Sequence, residues 1–145
     1  MDLISSIMRG WSWTGIKPAL IVGENDFGNL IIRDEQGLYW RLCPEELTCE
    51  VIAKDQRELN TLFQQQDFLC DWHMASIVEG ARNFLGDLKP SYKYYLKTPS
   101  LLGGEYISDN FGVIPIYELI ESSGVIAAKI DGLPDGTEVK ITVVD

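Results

Sequence analysis

The chain has 145 residues, 46% of them hydrophobic, and sets 22 acidic side chains against 12 basic ones for a net charge of −10. That length buries a core without metals or disulfides, and no apolar run approaches the roughly 18 residues that a membrane span requires. The acidic balance disfavours DNA or RNA as a partner, because phosphate contacts supply most non-specific affinity, and it favours a basic protein partner or simple solubility.

The opening stretch, MDLISSIMRGWSW, lacks the marks of a secretory signal. It carries an early acidic residue, a short apolar stretch and no small-residue cleavage site, so a cytoplasmic location is expected. Apolar runs at Ala19–Val22, Leu30–Arg33, Leu38–Leu42 and Leu47–Ala53 then predict four strands. Turn chemistry separates them at Gly23–Asp26, Asp34–Gly37 and Pro44–Glu46, with Gly37 placed where a positive φ is needed. Connections this short imply an antiparallel meander. Alternation of Leu47, Cys49, Val51 and Ala53 with Thr48 and Glu50 predicts one buried face on the fourth strand.

Asp55 and Glu58 form a capping pair ahead of Leu59, Leu62 and Phe63. Met74, Ile77, Val78, Ala81, Phe84 and Leu85 trace one apolar helical stripe, stopped by Gly86 and Pro90. The stripe reads as core packing, with Phe84 inside. Tyr92–Lys97 predicts a strand, Glu105–Ile107 and Gly112–Ile114 short extended pieces, and Pro115 the opening of a helix containing Ile116, Leu119 and Ile120. A turn at Leu133–Gly136 leads to alternating Thr137, Val139, Ile141 and Val143, a half-buried final strand. The expected fold is a single α+β domain over residues 1–145, an antiparallel sheet with helices packed against it.

No catalytic, cofactor or metal constellation emerges. Cys43, Cys49 and Cys70 are spaced for neither a disulfide framework nor a zinc site, and Cys70 with the lone His73 supplies only two ligands. Gly103-Gly104 lacks the context of a phosphate loop. Carboxylate pairs such as Glu45/Glu46, Glu105/Asp109 and Glu118/Glu121 read as solvated faces among so many acids. Lys93, Tyr95 and Lys97, on one side of a strand, also read as a solvated face. Trp40 and Trp72 are expected in the core, while Trp11 and Trp13 either lid the core or anchor a partner.

Residues 101–145 carry two basic and eight acidic side chains, the most uneven third of the chain. Glu105, Asp109, Glu118 and Glu121, with Trp13 as an aromatic anchor, are therefore the candidate partner-binding residues. The sequence leaves self-association open.

The ordered pieces Phe84–Pro90, Lys97-Thr98-Pro99, Leu101–Tyr106, Asp109-Asn110, Ile116-Tyr117-Glu118 and Leu133–Thr137, with Phe27–Leu30 and Asp34, Gly37 and Trp40 upstream, resemble the C-terminal domain of a type VI secretion immunity protein family. The resemblance covers roughly residues 25–145. It implies a cytoplasmic antitoxin that binds a cognate toxic effector, a nuclease in known cases, by stoichiometric occlusion. On the same resemblance, the glycines, Asn110 and Pro134 serve the fold. A protein- or ligand-binding module of the same α+β class, with no toxin, is the alternative.

Overall fold

The computed structural model describes residues 2–133. The strand expected over Thr137–Val143, and most of the turn before it, lie outside the described residues.

The chain is α+β. A four-stranded antiparallel meander is formed by β1 (Pro18–Glu24), β2 (Leu30–Asp34), β3 (Tyr39–Cys43) and β4 (Thr48–Ala53), in sequence order across the sheet. A second, two-stranded antiparallel sheet pairs β5 (Tyr92–Leu96) with β6 (Phe111–Pro115). Among the described residues, five α-helices accompany them: α1 (Leu3–Trp11), α2 (Gln56–Leu62), α3 (Gln66–His73), α4 (Ala75–Leu85) and α5 (Ile116–Ile130).

Helices cover both faces of the meander. Strand β2 shows why Leu30-Ile31-Ile32 is uninterruptedly apolar, since all three side chains are buried. Leu30 and Ile32 pack with Ile7 and Trp11 of α1 and Ile116 and Ile120 of α5. Ile31 points the other way, into a cluster with Tyr39, Ala53, Leu59 of α2 and Trp72 of α3. A third cluster joins Phe27, Met74, Val78, Ala81, Tyr94, Leu96 and Phe111, and it seats α4 on the β5–β6 hairpin.

Helix α1 was not anticipated from the sequence. Asp2 caps it, its carboxylate accepting from the Ser5 N–H at 2.8 Å. Ser6, Ile7, Gly10 and Trp11 form its buried face. It crosses α5 at a glycine pair. A Cβ built on Gly124 would stand 2.2 Å from the Gly10 carbonyl oxygen, so the backbones meet where no side chain fits.

The turns follow their chemistry. Asp34 accepts from the N–H groups of Gln36 and Leu38, and Gly37 adopts φ +87°. Asp55 caps α2 by accepting from the Glu58 N–H at 2.9 Å. Gly86, at φ +87°, ends α4.

Three expectations need correction. Val51 is 45% exposed although it pairs with Trp40 on the Cys49 face, and Ala53 lies on the opposite face because β4 is bulged between them. Tyr39 faces Ala53 while Trp40 faces Val51, which leaves Ile52 as the extra residue and reverses the alternation at that point. Glu105–Ile107 is not a strand; it lies between two short 3-10 turns at Ser100–Leu102 and Ser108–Asn110. Phe84 is 56% exposed and Leu85 37%. Val78 and Ala81 reach the aromatic cluster, and by the last turn of α4 the helix has run past it. Phe84→Ala is therefore expected to change stability by less than about 0.5 kcal/mol, the range of an ordinary surface substitution. A loss of about 3 kcal/mol in urea melts would instead mark a buried ring.

Candidate protein-binding surfaces

Trp11 is fully buried, and its indole N–H donates to the Ile120 carbonyl at 2.9 Å. Trp13 stacks on it with ring centroids 6.0 Å apart and planes 20° from parallel. The Trp13 N–H is shared between the Gly10 carbonyl at 2.9 Å and the Gly124 carbonyl at 3.2 Å. Trp13 is thus held from two helices, yet 43% of it faces solvent. The lid and the anchor readings divide between the two rings, Trp11 closing the core and Trp13 standing on it.

Glu118, Ser122, Val125 and Lys129 recur at helical spacing on the solvent face of α5. Glu121 flanks them and pairs with Arg9 at 3.1 Å. Two predicted residues, Trp13 and Glu121, therefore meet at the α1–α5 crossing, and Glu118 stands farther along the exposed face of α5.

Glu105 and Asp109 lie elsewhere, exposed on the loop between β5 and β6. Asn110 ties that loop together. Its side chain accepts from the Thr98 N–H at 2.8 Å and donates to the Thr98 carbonyl at 2.9 Å and the Glu105 carbonyl at 3.0 Å. A Cβ on Gly104 would fall 1.8 Å from the Thr98 oxygen, so only glycine passes there. These two residues hold the loop shut.

Sequence reasoning missed a groove on the opposite side of the meander from α5. Two hollows of about 370 and 300 Å³ adjoin there, sharing Arg41, Cys43 and Glu46. Arg41 and Glu50 are direct cross-strand neighbours, as are Cys43 and Thr48, so these residues floor the groove. Ile52, Leu62 and Phe68 line one hollow; Met74, Ile77 and Tyr106 line the other. Arg41 forms an ion pair with Asp71, donates to the Asn29 side-chain oxygen at 3.0 Å, and lies 5.3 Å from the centre of the Trp72 ring. Among the described residues, neither Glu46 nor Glu50 forms an ion pair with a cation. Cross-strand proximity was the missing signal, because Arg41 and Asp71 stand 30 residues apart.

Beneath the groove lies a buried polar cluster. The Asn29 amide donates to both oxygens of Glu45, at 2.8 and 3.0 Å, and the Cys43 thiol donates to one of them. Burial raises the Glu45 pKa, against the opposing pull of the Cys43 and Asn29 hydrogen bonds. Burial also pushes up the Cys43 thiol, and the Glu45 charge adds to the rise. Because the folded pKa of Glu45 exceeds its unfolded value, its contribution to stability is full below the unfolded pKa of about 4.3 and is lost as pH rises through the folded value. Glu45→Gln removes this dependence, so wild-type stability should decline relative to the variant between pH 4 and pH 8. Parallel urea-melt profiles across that range would contradict the assignment.

Lys93 also departs from the expected solvated face. It is buried, and its ammonium donates to Glu24 at 3.2 Å.

No helix among the described residues is long and apolar enough to cross a membrane. Comparison with protein-family models finds no match, and neither does comparison with curated protein sequences.

Proposed function

We propose that this chain is an immunity protein, which binds and neutralises a cognate type VI secretion effector of the nuclease class in the cytoplasm by stoichiometric occlusion, without turnover. The observation that carries this reading is the anchored, half-exposed Trp13 at the crossing of α1 and α5, where Glu121 also lies. A tryptophan fixed by stacking and two carbonyls loses little freedom when covered, and tryptophan is the residue type most enriched among binding hot spots. The net charge of −10 suits the basic, phosphate-binding cleft of a nuclease and speeds encounter with it. The ordered run from Leu101 to Asn110 supports the same reading through its resemblance to the immunity family.

The test is co-expression with the toxin-like product of a neighbouring reading frame, followed by purification of the pair. A one-to-one complex and rescued growth are expected. Trp13→Ala should weaken the complex by about 2 kcal/mol or more, read on variant protein that a thermal melt shows to be folded. Failure of every neighbouring product to bind would remove the immunity reading.

A further inference from the structure

We infer that the groove over β3 and β4 is a second docking surface, one that takes an extended, basic segment of another protein. It lies on the face of the meander away from α5, so it stands whether or not the Trp13 surface binds a toxin.

Both hollows have apolar walls, from Ile52, Leu62 and Phe68 in one and Met74, Ile77 and Tyr106 in the other. Each is large enough to receive a side chain. An extended chain presents every second side chain to the same face, about 6–7 Å apart, which suits two adjoining hollows.

Charge decides the class of occupant. Glu46 borders both hollows, Glu50 one and Asp71 the other. Arg41 supplies the opposing charge, but its guanidinium is already committed to Asp71, Asn29 and the Trp72 face. Glu46 and Glu50 are therefore left to attract cations. A second copy of the chain, itself at −10, would meet repulsion there, and so would a nucleic acid. A segment with lysine or arginine between apolar anchors fits both walls and rim, its carboxylate contacts strongest with arginine.

The experiment pans a displayed library of random ten-residue peptides on the intact chain, then measures resynthesised winners by fluorescence anisotropy. Enriched peptides are expected to carry net positive charge with apolar residues at alternate positions. Their affinity should fall about tenfold in the double variant Glu46→Lys/Glu50→Lys, and less in Glu46→Gln/Glu50→Gln. Asp131→Lys, at the end of α5 on the other face, should leave it unchanged. All these positions are exposed, and thermal melts confirm that each variant is folded. No enrichment, enrichment without a positive bias, or peptide binding equal in wild type and the charge-reversed groove would overturn the proposal.

Discussion

Gly124→Ala is expected to destabilise the protein by about 3 kcal/mol or more, at the upper end of overpacking effects. The added methyl would lie 2.2 Å from the Gly10 oxygen and 2.4 Å from its carbon. Both are backbone atoms, so no rotamer change relieves the clash, and α1 must lift from α5. Lifting α1 withdraws Ile7 and Trp11 from the cluster that also holds Leu30, Ile32 and Ile120. Urea denaturation gives the value directly. A midpoint within about 0.5 kcal/mol of wild type would mean that the helices separate freely and that the crossing contributes little.

The second large effect is expected at Trp11. Trp11→Ala removes a fully buried ring and should cost about 3–5 kcal/mol. Trp11→Phe keeps most of the apolar volume and loses the hydrogen bond to the Ile120 carbonyl, a change of about 1–2 kcal/mol. The two variants differ at Trp13 as well. Alanine takes away the ring on which Trp13 stacks, whereas phenylalanine leaves a platform. Near-ultraviolet circular dichroism and melts together would separate them, and an equal loss in both would show that the hydrogen bond outweighs the ring.

Local chemistry was legible in the sequence where it acts over a few residues. Asp34 and Gly37 specify their turn, Asp55 its cap and Gly86 its stop, each through groups within four positions. The meander followed from the same short-range signals. What went wrong involved distance. Phe84 continues the stripe of Val78 and Ala81 by periodicity, but burial depends on how far the aromatic cluster under α4 extends. Ala53 leaves the face of Cys49 and Val51 at the bulge at Ile52, which arises from pairing with Tyr39 and Trp40. Helix α1 has a readable cap in Asp2 and apolar residues at Leu3, Ile7 and Trp11, a pattern available in the sequence but overshadowed by the comparison with a signal peptide.

Of the candidate site, Trp13, Glu118 and Glu121 were chosen from composition; Trp13 and Glu121 meet at the α1–α5 crossing, while Glu118 stands apart on the exposed face of α5. Glu105 and Asp109 were chosen on the same grounds and sit on a loop of their own. Charge counting cannot distinguish these cases, because it carries no information on which elements pack together. The groove was invisible for the same reason, its residues being drawn from β3, β4, α2, α3 and α4.

The contact between α1 and α5 also sets an order of events during synthesis. The Trp11 hydrogen bond joins positions 109 residues apart. At about 5–20 residues per second, α1 leaves the ribosome roughly 5–20 s before Ile120 exists. Strand β2 arrives sooner and offers Leu30 and Ile32 to Ile7 and Trp11 as a provisional seat. The Gly10 side of α1 stays uncovered until α5 emerges. Until then α1 carries an open apolar flank, exposed to chaperones for as long as the ribosome takes to add the residues between the two helices.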